Sequence, residues 1–191
     1  MLRRACLPLL CLSLLAPAAA SAAPVTVKTV GGCKIRPRTQ CAGRHLDGAK
    51  LNRSSLYDAN FRSAHLNNVQ LNYSNLTRVN FNKAELYQAE LSHSDLRESD
   101  MAYANLTYTS ATFSRFRFAR LLQADLYKAD LYKSDLRNTD ARYANFNGAN
   151  LNGVDFTNAN LQKANLCGAN LTNVNFTNAN LTDTRCAPPT P

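Results

Sequence analysis

Between Cys41 and Cys186, the chain carries a large apolar residue at almost every fifth position, and a small residue two places before it. In the segment ANFNGANLNGVDF, the large residues are Phe146, Leu151 and Phe156. The register runs in both directions without an insertion. This period fits neither the 3.6 residues of a helical turn nor the two-residue alternation of a strand. It predicts a stacked array, in which each unit buries its apolar face against its neighbours.

The units read as A(N/D)LXX, and the chain resembles the pentapeptide-repeat family over residues 41–186. The resemblance implies an all-β fold, a right-handed quadrilateral β-helix in which four units form one coil of about 20 residues. Residues 41–186 are then expected to form about seven to eight coils. The centre of each unit and the residue two before it are expected to point inward, and the other three positions outward.

The residue types at the two inward positions agree with this expectation. Every inward residue two places before a centre, from Ala49 to Thr184, is Ala, Ser, Thr or Val, so large and small residues alternate as close packing requires. The centres are Leu, Phe or Met, with four exceptions: Cys41, Ala111, Ala141 and Cys186. Each buried Leu or Phe contributes about 1.5–3 kcal/mol, so this core needs no cofactor or metal ion for stability.

The two ends of the chain lack the period. Residues 1–23 are typical of a signal peptide, with a basic start, a short apolar run and a small-residue cleavage site, and they predict a secreted or periplasmic protein. After removal of this signal, no other segment is apolar enough to span a membrane. We interpret residues 24–40 as a cap on the first coil, and the Pro-rich residues 187–191 as a disordered tail.

Four cysteines remain after the signal peptide, and an even number in an exported protein favours disulfides. Three connectivities are open. Local pairing is favoured, with Cys33–Cys41 at the entrance of the β-helix and Cys167–Cys186 at its exit. The second pair requires the last unit to splay, because a centre points inward and the residue after a centre points outward.

Enzyme activity is not expected. The carboxylates are spread around the predicted coils rather than gathered in a cleft, and glycine-rich phosphate loops are absent. His65 is expected to pair with Glu85 on the surface, and His93 to pack between Tyr73 and Phe113. Since the cysteines lack CxxC or His-rich spacing, no metal site is predicted.

The chain is basic, with 22 Lys and Arg against 13 Asp and Glu and a formal net charge of +9. This charge either keeps the protein soluble or attracts anionic surfaces and polymers. Some members of the resembled family bind gyrase by imitating DNA with acidic surfaces, and this chain departs from them in charge and in its predicted export. Nucleic acid is not expected as the natural partner, because no base-reading motif is present.

Residues 20 apart are expected to stack on adjacent coils about 4.8 Å apart. Asp95, Arg115 and Asp135 then alternate in sign along one column. In contrast, like charges follow one another at residues 97, 117 and 137, and no acid lies in that column, although Asp95 and Glu98 lie alongside. With the exposed Phe118, these arginines form the candidate binding face: Arg97, Arg115, Arg117, Phe118 and Arg137.

The sequence therefore predicts an exported, non-enzymatic binding or structural module of the cell envelope, with a protein as its partner. The alternative is that the basic face binds a polyanionic polysaccharide or lipid head groups. Hydrolysis of an envelope polymer is the least favoured activity, and a homodimer is left open.

Overall fold

A computed structural model of the protein describes residues 28–187. The predicted signal peptide of residues 1–23, the first residues of the cap and residues 188–191 of the tail lie outside this range. Within residues 28–187 we find no helix with the length and apolar character needed to cross a membrane.

The described chain begins with a small antiparallel hairpin. Strand β1 (Thr29–Val30) pairs with strand β2 (Cys33–Lys34) through the turn at Gly31 and Gly32. At Gly31 a Cβ atom would lie 2.1 Å from the backbone oxygen of His45, and φ is +54°. The hairpin can therefore rest on the first coil only because this residue has no side chain.

From Gln40 onward, the chain forms isolated parallel bridges between residues 20 apart, ending with the bridge between Asn165 and Arg185. Each coil is bonded to the next by a repeating pair of hydrogen bonds. The N–H of Leu46 donates to the oxygen of His65 (2.8 Å), and the N–H of His65 donates back to the oxygen of Arg44 (2.9 Å). The 20-residue spacing predicted from the sequence is thus present.

A tight turn after each centre makes the four corners of a coil. The N–H of Ala49, for example, donates to the oxygen of Leu46 (3.0 Å), and Gly48 between them has φ +66°. Non-glycine residues take the same conformation at the equivalent place, including Tyr73 (φ 60°) and Phe113 (φ 55°). Their backbone N–H groups bond to the next coil, which helps to offset a left-handed conformation that costs about 1–2 kcal/mol. The corner side chains point outward.

The inward residues form one continuous core. Centres from Leu46 to Leu166 are at most 2% exposed, and the small residues two places before them are buried as well from Ala59 to Ala164. One column of the small positions is mostly serine, and from Ser74 to Ser134 the hydroxyls of this column donate to backbone carbonyls inside the tube, as Ser94 does to Leu71 (2.7 Å). The inward register predicted from the sequence matches this burial.

The regular geometry starts earlier than predicted, and at its other end it stops where the Cys167–Cys186 disulfide requires the last unit to splay. It begins before Cys41, because Arg38 already has the corner conformation (φ 58°) and its N–H bonds to the oxygen of Tyr57 (2.9 Å). At the other end, Cys186 is exposed and has φ 56°, so the last unit leaves the inward register. The centres of the final coil, such as Phe176, are only partly buried, since no further coil covers them within the described chain.

Candidate binding surfaces

The predicted binding face lies on one side of the β-helix, and we call it the arginine face. Parallel bridges place Asp95 against Arg115 and Arg115 against Asp135. Arg97, Arg117 and Arg137 occupy the adjacent column, at the residue after each centre. The five predicted residues therefore lie together on one side of the β-helix. Four of them are in two adjacent columns, and Phe118 is at the corner next to those columns.

Acids beside the arginine column neutralise two of its three members. Arg97 donates from Nε (2.8 Å) and Nη2 (2.7 Å) to the carboxylate of Asp95. Arg137 bonds to Asp135 in the same way, at 2.8 and 2.6 Å, and lies 3.5 Å from Asp155. The sequence places Asp95 alongside this column, and the structure shows that Asp95 does bond to Arg97. The like charges are thus offset by partners two residues earlier in the same unit.

These bidentate pairs shift the pKa of both acids. Partial burial raises the pKa of Asp95, but hydrogen bonds from the Arg97 guanidinium and backbone N–H outweigh that effect and lower the pKa overall. The pKa of Asp135 is lowered for the same reasons, with Arg137 as the donor. Both carboxylates are therefore ionised at neutral pH, and their charge cancels part of the face.

The two remaining arginines are held more loosely. Arg115 is 3.8 Å from Asp95, and its side chain is 62% exposed. Arg117 lies 3.8 Å from Asp135, and its Nε is buried without a hydrogen-bond partner among the described residues. Phe118 is 58% exposed beside them. The arginine face therefore offers two cationic groups to an anion rather than a strip of three equal ones.

A second surface has stacked aromatic rings along one corner. The ring of Tyr73 stacks on His93 (centroids 4.7 Å apart), and His93 stacks on Phe113 (5.1 Å). The Arg53 guanidinium covers the outer ring of Tyr73 at 5.8 Å, and Tyr132 meets Phe113 edge-on at 5.4 Å. The packing of His93 expected from the sequence is thus present, and the stack presents its ring edges to solvent.

Beside this corner lies an open groove of about 490 Å³, which we call the aromatic groove. Its floor is polar and internally hydrogen-bonded. The amide of Asn72 donates to Glu90 (2.7 Å), and the hydroxyls of Ser92 and Ser110 are 3.0 Å apart. The lining residues are Asn72, Tyr73, Glu90, Ser92, His93 and Ser110.

The neighbouring corner is aromatic too. Tyr108 meets Tyr87 and Tyr127 edge-on, with centroids 5.8 Å apart in both pairs. Lys128 lies over the ring of Tyr127 at 5.3 Å. The face that contains the groove is thus bordered by exposed aromatic residues on both sides. The sequence predicts the packing of the first aromatic column and not the groove beside it, although small polar residues between two aromatic columns are visible in the 20-residue register.

The predicted surface pair of His65 and Glu85 is present, with 2.9 Å between Nδ1 and Oε2. The ring of His65 also stacks on that of His45, and Asp47 lies close to both. These three residues could hold a metal ion, a site that is not predicted from the sequence. The 20-residue register could have identified the two histidines as neighbours.

Disulfides close both ends of the described chain. Cys33 is bonded to Cys41, with Cα atoms 5.7 Å apart, and Cys167 is bonded to Cys186, with Cα atoms 4.9 Å apart. Both separations are ordinary for disulfides. We call these the N-terminal and C-terminal cystines. They are the two local pairs that the sequence favours, and the second is made possible by the splayed last unit.

Comparison with solved structures gives the same architecture. HetL, a pentapeptide repeat protein involved in heterocyst differentiation regulation in the cyanobacterium Nostoc, aligns with a TM-score of 0.53 and 22% identity, over 78% of this chain and 87% of HetL. A pentapeptide repeat protein from the thylakoid lumen of Arabidopsis thaliana aligns with a TM-score of 0.50 and 32% identity, over 51% of this chain and 68% of that protein. QnrB1, a plasmid-mediated fluoroquinolone resistance protein, aligns with a TM-score of only 0.39 and 16% identity, over 73% of this chain and 83% of QnrB1.

No curated protein matches the chain. Two family profiles do match it. The profile described as "Pentapeptide repeats (8 copies)" matches residues 39–78, 64–101 and 74–110. The profile described as "Pentapeptide repeat region" matches residues 109–186. Together the two profiles cover the whole repeating part of the sequence, and the chain belongs to the pentapeptide-repeat family.

Proposed function

We propose that this protein is an exported, non-enzymatic binding module that holds a protein partner in the cell envelope. The observation that carries the proposal is the aromatic groove with its two bordering corners. Tyr73 is 58% exposed, Phe113 46% and Tyr108 44%. A soluble protein rarely gathers such large exposed rings on one face without a partner, and aromatic residues are enriched at protein interfaces.

Export is supported by three separate features. The first 23 residues are typical of a signal peptide. The described chain has two disulfides, and disulfides are common in proteins that fold in an oxidising compartment. The 32% identical relative belongs to a lumenal compartment, the thylakoid lumen.

We also propose that the β-helix is right-handed and has seven to eight coils, in keeping with the family.

The proposal is tested by cross-linking and capture from an envelope extract. In the groove variant, Tyr73→Asn and Phe113→Asn remove two rings, and asparagine is chosen because it tolerates the left-handed backbone at both positions. In the matched control, Tyr103→Asn and Tyr143→Asn remove equally exposed rings from corner positions of another column. We expect the wild type and the control to recover the same protein, and the groove variant to lose it. Equal recovery by the groove variant would overturn the proposal.

A polyanionic envelope component is the second candidate, and the loosely held Arg115 and Arg117 favour it. Binding to heparin should then weaken steeply with salt. A variant with Arg115 and Arg117 replaced by Gln should lose this binding. A control with two exposed arginines replaced elsewhere has the same net charge as that variant: Arg44 and Arg62. If both variants lose binding equally, the effect is one of total charge and not of the arginine face.

A further inference from the structure

A group of metal-ligating side chains lies on the first two coils, away from both surfaces described above. His45 and His65 are paired through a parallel bridge, and their rings stack with centroids 4.2 Å apart and an angle of 18° between planes. Asp47, two residues after His45, lies close to both rings. One ligand atom from each of these three residues lies within 4.8 Å of the other two.

Hydrogen bonds around the group leave the ligand atoms available. The ring of His65 is held through Nδ1 by the carboxylate of Glu85 (2.9 Å), so Nδ1 carries the proton and the lone pair is on Nε2. Asp47 accepts the backbone N–H of Asn67 through Oδ1 (2.7 Å), which leaves Oδ2 free. The Asn67 amide also donates to Glu85 (3.2 Å). A carboxylate behind a histidine is the usual outer partner of a metal-bound imidazole.

We propose that His45, Asp47 and His65 bind one divalent transition-metal ion of the zinc class. Two imidazoles and one carboxylate suit Zn²⁺, Cu²⁺ and Ni²⁺, and they do not suit Mg²⁺ or Ca²⁺, which prefer oxygen ligands. The carboxylates of Asp47 and Glu85 together balance the charge of such an ion. The remaining coordination position faces solvent, since His45 and Asp47 are exposed.

A small side-chain movement is sufficient to form the site. Tetrahedral zinc has bonds of about 2.0–2.1 Å, so its ligand atoms lie about 3.3 Å apart. Since no two of the three atoms are more than 4.8 Å apart, they must approach one another by at most about 1.5 Å, and the stacked rings must turn so that both lone pairs face the ion. Exposed side chains on a fixed backbone can make this change by rotation about χ1 and χ2.

The ion would connect the first coil to the second. The first coil has a full neighbouring coil on one side only, and the hairpin of β1 and β2 covers part of the other side. Binding that requires both coils in place stabilises this end of the β-helix, because the separated side chains of an unfolded end bind the ion much more weakly.

The test is a titration of the untagged, EDTA-dialysed protein with Zn²⁺ by isothermal calorimetry, together with melting curves. His93 provides the matched control, because it lies in the Tyr73 and Phe113 stack and not in the metal group. We expect one Zn²⁺ per wild-type chain and a melting temperature that rises with zinc. His93→Ala should retain both, and the double variant His45→Ala, His65→Ala should bind at least about 100-fold more weakly.

Two further variants keep the test decisive if the double variant is poorly folded. Asp47→Asn keeps an oxygen for the Asn67 N–H and removes the negative ligand, and Glu85→Gln alters only the outer partner. We expect a large loss of zinc affinity for the first and a loss of about 10-fold for the second. Absence of zinc binding by the wild type, or unchanged affinity in Asp47→Asn and in the double histidine variant, would overturn the proposal.

Discussion

Two buried serines of one coil should respond in opposite ways to the same substitution. Ser94 and Ser99 both point inward, and each is 1% exposed. The hydroxyl of Ser94 donates to the oxygen of Leu71 (2.7 Å) and accepts the backbone N–H of Ser74 (3.1 Å). The hydroxyl of Ser99 has no hydrogen-bond partner among the described residues. The pair therefore separates hydrogen bonding from side-chain size and burial.

The magnitudes follow from the groups that each change leaves behind. Ser94→Ala removes the one partner that the structure gives to the Leu71 oxygen and to the Ser74 N–H. Each buried group without a partner costs about 1–3 kcal/mol. The two costs do not add fully, because the surrounding backbone relaxes in part. We therefore expect the free energy of unfolding to fall by about 2 kcal/mol. Ser99→Ala removes a hydroxyl that is buried without a bond, so we expect no loss, or a gain of up to about 1 kcal/mol.

Both free energies can be measured by urea unfolding with the two cystines intact, followed by circular dichroism. Because solenoid proteins can unfold in more than one step, amide hydrogen exchange in the coil of Ser94 serves as a second measurement. Alanine is the commonest residue at these inward positions, so a rule based on residue frequency predicts that both changes are harmless. Equal effects of the two substitutions, within about 0.5 kcal/mol, would refute the reasoning from hydrogen bonds.

Three other outcomes are expected. Leu131→Asn, inside the tube, should cost at least about 1–3 kcal/mol by urea unfolding and clearly more than Tyr132→Asn on the surface; equal costs would contradict the inward register. Peptide mapping without reduction should recover the N-terminal and C-terminal cystines, and free thiols in protein recovered from an oxidising compartment would contradict them. The Arg142 guanidinium lowers the pKa of Asp140, so the stability from this pair is present above the ordinary aspartate pKa of about 3.9 and is lost as pH falls through the lowered value. Melting temperatures between pH 2 and 6 should therefore fall less steeply for Asp140→Asn, and an unchanged profile would show that the pair contributes nothing.

The arginine face also changes one expectation about stability. From the sequence, arginines stacked in one column repel one another, and replacing all three with Gln would leave the melting temperature the same or higher. In the structure, Arg97 and Arg137 are bonded to Asp95 and Asp135. The substitution breaks these pairs, so we now expect a small decrease in melting temperature, since an exposed pair contributes about 0–1 kcal/mol.

The fold was predictable because one numerical period determines it. The five-residue register determines which residues point inward. The number of four units per coil determines which residues stack on one another, as Asp95 does with Arg115. Both statements concern the backbone and need no knowledge of side-chain rotamers. The period defines the ends of the β-helix less well. The corner geometry already begins at Arg38, and the inward register stops at Cys186, where a disulfide replaces the neighbouring coil.

The candidate sites were less predictable, because they depend on contacts between columns. A charge at one position can bond to the coil above, as Arg78 does to Asp58 (2.7 Å), or to its own unit, as Arg97 does to Asp95. The register permits both choices, and rotamers and local crowding decide between them. The aromatic groove likewise arises between two columns, so neither column predicts it alone.

The corner residues indicate where on the β-helix function is concentrated. Every corner needs a left-handed residue, for which glycine and asparagine are the least strained choices. Toward the C-terminal end the corners use such residues, including Gly148, Gly153 and Asn158. In the middle coils Phe113 (φ 55°) and Phe118 (φ 60°) take the same conformation, and both rings are exposed. The left-handed backbone at each of them lowers stability by about 1–2 kcal/mol. Stability alone does not favour an exposed, strained phenylalanine, so the middle coils are the part of the surface on which we expect a partner to bind.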